Sequence, residues 1–422
     1  MKKASLVIKE IQEGTYNDVL KEVYIDESRI EKQPQRYVAA IEKFISLYGD
    51  QEIEIYSTPG RSEVSGNHTD HQNGEVLAAA INLDIIAVVS KNDVVKVLSD
   101  DYDLKPISLD DLSKKEDEVG TSEGLMRGVL ARFKELGYAI GGFNAYMTSD
   151  VLQGSGLSSS AAFEVMIGTI LSGLYNEMKV DPVVIGQVGQ YSENVYFGKP
   201  CGLMDQSACS VGSLIHIDFK DNSKPVVEKV DVEFSSFKHS LCIVDVHASH
   251  ADLTDDYAAV PYEMKKVAQF FGKEFLREVD EKDFYNQLVA VRKEVGDRAI
   301  LRAIHLFNEN KRVEKAVSSL KNNDFDTFKQ VIKDSGDSSY KYLQNVYSNK
   351  YPDNQAVSLA LSEGILESHG VCRVHGGGFA GTIQAFVEDE YVDHYKEEIE
   401  KYFGEGSCHV LKVRKFGGMK VL

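Results

Sequence analysis

GSGLSSSAAFEVMIGTILSGLY, residues 154–175, is the stretch on which the reading of the fold turns. Its first part is a Gly/Ser turn, and its second is apolar at helical spacing, so the pattern predicts a loop that opens directly into a buried helix. Just upstream, Phe143 to Thr148 reads as a strand, which gives the order strand, glycine-rich loop, helix. Glycines let backbone approach a ligand closely, unpaired amides at a helix N-terminus point outward, and the helix dipole favours negative charge. Phosphate is the natural occupant of such a loop. No Lys stands where a Walker A loop requires it, and Ser159 breaks the pattern G-x-G-x-x-G. Taken alone, the loop also reads as a helix cap on a flexible turn.

Working toward the N-terminus, Ser122 to Leu136 has helical periodicity and Ile85 to Ser90 is a β-branched strand. EIEIYS, from Glu52, alternates as a half-buried strand and ends at Pro59-Gly60; residues 59–74 then read as a polar loop, and Pro34 to Tyr48 as a helix. Toward the C-terminus, Leu241 to Val246 is a strand, followed by helical patterns to about Ser368. Gly370 to Val387 reads as strand, glycine loop, then helix or strand, and CHVLKVRKFGG closes with an alternating strand. The shift in composition near Ser235 predicts two domains, 1–234 and 235–422, with a cleft between them.

The balance of 47 Lys plus Arg against 66 Asp plus Glu gives a formal charge of −19 over 422 residues, which disfavours nucleic acid and anionic membranes as partners. Phosphate binding must then rest on local devices: backbone amides, a few cations, a metal ion. The five cysteines are scattered and never spaced C-x-x-C, and no apolar run reaches spanning length. These features point to a soluble cytoplasmic protein, expected to be a monomer.

Three further segments carry polar chemistry. PGRSEVSGNHTDHQNG, residues 59–74, gathers Arg61, Asn67, His68, Asp70 and His71 in hydrogen-bonding density that suits a polyol. His68 and His71 share an i,i+3 spacing with His247 and His250, but no carboxylate or cysteine stands ready to complete a metal site. GKPCGLMDQSACSVG, residues 198–212, sets Asp205 on an apolar background, where a carboxylate is either a satisfied structural group or a poised catalytic one; a partner such as Arg61 would keep it ionised. RVHGGGFAGT, residues 373–382, permits close backbone approach between segments or to a phosphate.

Taken together, and in this order, the four segments resemble the galactokinases of the GHMP kinase superfamily, from about Glu52 to the C-terminus. The resemblance implies an α+β, mixed α/β fold: an N-terminal ribosomal-protein-S5-like domain, a C-terminal ferredoxin-like domain, and an active site in the cleft between them. It implies that ATP, with Mg²⁺, phosphorylates a hexose such as galactose on its anomeric hydroxyl. By position, Asp205 is the catalytic base or orienter and Arg61 its cationic neighbour. Asn67, His68, Asp70, Gly202 and Tyr257 match sugar-binding positions. Gly154, Ser155, Gly156, Leu157, Ser158, Ser159, Ser160 and Ala161 match the ATP phosphate loop, with Ser160 and Glu193 near the metal.

The chain departs from that pattern at Asn67, where the family usually has a Glu that accepts from the sugar's outer hydroxymethyl group. Asn keeps an acceptor and drops the charge, so a kinase for a uronic acid such as galacturonate is an alternative reading. His71 replaces the usual Tyr, and Val260-Pro261 stands where paired arginines are usual. A sugar- and ATP-binding regulator without catalysis is a third reading, against which the retained Asp205 and Arg61 speak. Residues 1 to about 50 resemble no assigned segment.

Overall fold

The computed structural model describes residues 1–100, 104–151, 157–222, 224–247, 253–347 and 355–422. Two sheets organise it. The first holds strands β1 (Lys2–Lys3), β2 (Glu52–Ser65), β3 (Glu75–Asn92), β4 (Lys96–Ser99), β5 (Gly142–Ser149), β6 (Leu214–Asp218) and β7 (Val226–Val230). The second is built from β8 (His239–Asp245), β9 (Gly370–Val374), β10 (Thr382–Glu388) and β11 (Cys408–Leu411), while β12 (Met419–Lys420) returns to the first sheet beside β2. In the first sheet the path is β1-β2-β3-β5-β4, with β6 on β3 and β7 on β6; only β4 and β5 run parallel. The second is antiparallel in the order β11-β8-β10-β9.

β3 is buried along almost its whole length, from Glu75 to Ser90. A strand covered on both faces shows an unbroken apolar run instead of alternation, which is why only its β-branched end announced itself in sequence. The expectation of a loop over residues 59–74 is corrected in its first half: β2 continues through Pro59 and Gly60 to Ser65. Register shifts between Pro59 and Arg61 and between Glu63 and Ser65 explain how the strand tolerates a proline, since a bulge frees a residue from donating to the ladder.

The first fifty residues form helices, among them Ala4–Gln12, Asn17–Tyr24 and Gln33–Tyr48, that bury Val7, Tyr24, Ile41 and Phe44 against Ile53, Ile55, Ile86 and Val88 of the sheet. On the other face the helix Ser159–Asn176 packs Val165, Ile167, Ile170 and Leu171 into a core that runs on to Leu241, Ile243 and Phe386 of the second sheet. The two sheets also meet through polar contacts on β2, where Arg373 Nη1 donates to the Val64 carbonyl at 2.6 Å and Gln384 Nε2 to that of Glu63 at 2.9 Å. No helix among the described residues is long and apolar enough to cross a membrane.

Candidate active site

Arg61 leaves β2 toward the short helix Met204–Val211, whose first turn carries Asp205. Its Nε and Nη2 donate to Oδ1 and Oδ2 of Asp205, both at 2.6 Å, a bidentate pair joining residues far apart in sequence. Ser158 Oγ donates to Oδ2 as well. Burial alone would push the Asp205 carboxyl up, but the guanidinium, with the Ser158 hydroxyl, holds it below the usual carboxylate range. Its position at a helix N-terminus works in the same direction. The pair is asymmetric: the Arg61 side chain is 10% exposed and that of Asp205 32%, so the carboxylate still faces the cleft.

Ser158 caps the helix Ser159–Asn176 from the left-handed region, at φ 58°, and His68 shares that conformation at φ 58°. Non-glycine residues held there cost of order 1–3 kcal/mol and gather at ligand sites. Of the loop that precedes the helix, Leu157, Ser158, Ser159, Ser160 and Ala161 are described, whereas Gly154, Ser155 and Gly156 lie outside the described residues, as does His250.

The loop after β2 turns at Gly66, φ 101°, where a Cβ would come within 2.5 Å of the Glu75 carbonyl. His68 Nε2 donates to the Gly377 carbonyl at 2.9 Å, and its Nδ1 shares a hydrogen bond with His71 Nε2 at 3.2 Å. Burial pushes the His71 imidazole down to about 3, so it is neutral at pH 7. Asp70 lies against Gly202, where a Cβ would sit 2.8 Å from Oδ2; glycine at 202 leaves the carboxylate its place. Burial, with Glu63 and Asp205 nearby, raises the Asp70 carboxyl. Tyr257 donates to the Gly378 carbonyl at 2.6 Å and stacks edge-on to Phe379. The glycine turn 376–378 thus approaches the 67–71 loop, the segment-to-segment use of its glycines.

Asn67 stands apart from its neighbours. It is 0% exposed: Nδ2 donates to Glu63 Oε1 at 3.0 Å and to the Gly376 carbonyl at 2.6 Å, and Oδ1 accepts from Asn345 at 2.7 Å and Ser339 at 3.2 Å. Its amide thereby ties the loop to Glu63 on β2, to Ser339 and Asn345, and to the glycine turn at 376. Its carbonyl accepts from His305 Nε2 at 2.9 Å.

Glu193 lies buried in a wide helical turn, Ser192–Phe197. Gln206, next in sequence to Asp205, donates from Nε2 to Glu193 at 2.8 Å and to Glu164 at 3.1 Å. Glu164 Oε1 is buried without a hydrogen-bond partner among the described residues, and burial together with Glu193 raises this carboxyl well above the usual range. A cavity of about 450 Å³ opens beside the same helix, lined by Ile85, Val97, Leu104, Met147, Ser160 and Phe163. Glu63, Glu164 and Gln206 escaped the sequence reading; Glu63 was within reach of it, two residues from Arg61 on one strand face.

A phosphate-loop helix, an arginine-held carboxylate and a polar sugar-type loop at one cleft define a small-molecule phosphotransferase with an alcohol group as acceptor. The sequence agrees: residues 42–91 match the galactokinase galactose-binding signature, and residues 124–213 match the GHMP kinases N terminal domain. A galactokinase of Streptomyces coelicolor is 30% identical over 88% of this chain and 94% of its own, and one of Actinobacillus pleuropneumoniae is 31% identical over 85% and 92%. The chain belongs to the galactokinase family. Its fold matches the crystal structure of Lactococcus lactis galactokinase complexed with galactose, with a TM-score of 0.74 at 24% identity over 90% of this chain and 98% of that one. Methanococcus jannaschii mevalonate kinase follows at 0.61, with 16% identity over 86% and 98%.

Proposed function

We propose that the protein transfers the γ-phosphoryl group of ATP to the anomeric hydroxyl of galactose, giving galactose 1-phosphate, and that it acts as a monomer. The observation that carries this reading is the Arg61–Asp205 pair, with its carboxylate still facing the cleft at the mouth of the helix Ser159–Asn176. Asp205 orients the attacking hydroxyl and accepts its proton as the bond to phosphorus forms. Arg61 keeps Asp205 ionised and offsets charge on the transferred group. Little covalent chemistry is asked of the protein, because phosphoryl transfer depends on positioning and charge neutralisation.

Leu157 to Ala161, at the N-terminus of the helix Ser159–Asn176, receive the phosphates on backbone amides, and the cavity of about 450 Å³ beside them receives the adenine. Ser160 and Glu193 would hold Mg²⁺. The donor set fits that ion: hydroxyl and carboxylate oxygens are hard ligands, and beside Glu193 the buried Glu164 Oε1, unpartnered among the described residues, belongs to a carboxyl held up by burial and by Glu193 that a bound cation would bring down. When bound, Mg²⁺ supplies charge neutralisation on the phosphates. On the acceptor side, His68, Asp70, Gly202 and Tyr257 enclose the sugar, while Asn67 acts through the contacts that fix the loop.

The test is ATP consumption against an acceptor panel, with the phosphate located by NMR. Galactose-dependent turnover with phosphate on the anomeric oxygen is expected. Turnover independent of galactose, or phosphate on another carbon, would overturn the assignment.

A further inference from the structure

On the acceptor side of the cleft, the position where a carboxylate would be sought holds Asn67, sealed and fully engaged, while Glu63 stands beside it. Side chains two apart on a strand share a face, so Glu63 points the way Arg61 does, toward the helix that bears Asp205. The pairing supports this: Glu63 lies opposite Ala78 on β3, and Ala78 packs with Leu203 and Met204, the neighbours of Asp205. Glu63 Oε1 accepts from Asn67 Nδ2 at 3.0 Å and from Arg373 Nη2 at 3.1 Å, whereas Oε2 accepts no hydrogen bond among the described residues. The carboxylate is held, oriented and half spent.

Resting on the galactose reading above, we propose that Glu63 is a specificity-determining residue: its free oxygen accepts from a hydroxyl of a neutral hexose and repels an acceptor carrying a carboxylate. Glu63, Asp70 and Asp205 gather here, and burial first, then the charges of Glu63 and Asp205, raise the Asp70 carboxyl. Against these three stand Arg61, spent on Asp205, and Arg373, shared between Glu63 and the Val64 carbonyl. His71, His305 and His375 are all held neutral by burial. A sugar carboxylate entering this space would meet the Glu63 and Asp205 carboxylates, to which both guanidinium groups are already paired, while His68 is engaged with the Gly377 carbonyl and His71. Replacement of a charged side chain by Asn at position 67 therefore does not open the site to uronic acids.

The experiment compares galactose and galacturonate as acceptors for the wild type, Glu63→Gln and Glu63→Asp, with apparent melting temperature as a fold control. The wild type is expected to favour galactose in kcat/KM by at least about tenfold. Glu63→Gln should narrow that ratio about tenfold, chiefly through KM, and Glu63→Asp should keep it wide. An unchanged ratio in Glu63→Gln, or a wild type that prefers galacturonate, would overturn the proposal. Should Glu63→Gln fail to fold, the equilibrium affinities of the wild type for the two sugars decide in the same sense. If neither sugar is phosphorylated while another acceptor is, the functional reading fails instead.

Discussion

Two of the arginine-carboxylate clusters at β2 and β3, one on Asp205 and one on Asp84, use the same pairing in differently exposed surroundings. In the cleft, Asp205 accepts from Arg61 and Ser158 and remains 32% exposed. On the other side of the sheet, Asp84 accepts from Arg36 at 2.6 Å, Tyr24 at 2.7 Å, Arg414 at 3.3 Å and Ser57, and is sealed. Burial pushes both carboxyls up, and arginine holds both below the usual range. The direction of a shifted pKa therefore does not separate a working group from a structural one. What separates them is whether an acceptor position is left for a substrate. The sealed cluster ties the N-terminal helices (Tyr24, Arg36), the sheet (Ser57, Asp84) and the C-terminal segment (Arg414) into one unit.

The sharpest way to break this comparison is to neutralise each carboxylate in turn. Asp205→Asn is expected to lower kcat by about 10³-fold or more, the upper range for loss of a general base, with a smaller loss of stability than at Asp84, because one arginine and not two loses its partner. Steady-state rates beside a thermal scan check both halves. Asp84→Asn should do the reverse: leaving Arg36 and Arg414 buried without their partner costs about 3–5 kcal/mol, read by urea unfolding, while the folded fraction keeps its specific activity. An Asp84 variant that stays stable but loses turnover would erase the distinction.

A subtler test lies in Arg36, which also reaches Asp150 at 3.2 Å and the Thr148 carbonyl at 3.3 Å, behind a wall of the cavity beside the helix Ser159–Asn176 formed by Met147, Thr148, Ser149 and Val151, where the adenine is proposed to bind. Arg36→Met is expected to raise KM for ATP severalfold while KM for the sugar stays within twofold. The smallest effect is on pH dependence. His71 and His375 are pushed down to about 3 and His305 to about 4, below the value near 6.5 they regain on unfolding. The unfolded chain then binds more protons than the folded one below pH 6.5, so stability falls as pH drops through that value. A fall in melting temperature of roughly 5 °C between pH 7 and pH 5 is expected, with Asp205 still ionised and turnover per folded molecule retained.

Legibility in the sequence followed locality. The helix Ser159–Asn176 and the Asp205 segment were readable because each declares itself within a short window. Spacing alone could not reveal that Arg61 meets Asp205, since 144 residues separate them; the family resemblance supplied it. β2 was cut short at Pro59 because a bulge, invisible in composition, excuses the proline. The burial of Asn67 has no signal in its own segment because it depends on Ser339 and Asn345, 272 and 278 residues away and brought in by folding alone. The Asp84 cluster gave no signal for the same reason, its members being spread from Tyr24 to Arg414.

A crystal structure with galactose and a non-hydrolysable ATP analogue tests the account most directly. The anomeric hydroxyl should lie about 2.6–3.2 Å from Asp205, facing a γ-phosphate at the N-terminus of the helix Ser159–Asn176. A sugar bound with another hydroxyl at Asp205, or a nucleotide whose terminal phosphate points away from this cleft, would contradict it.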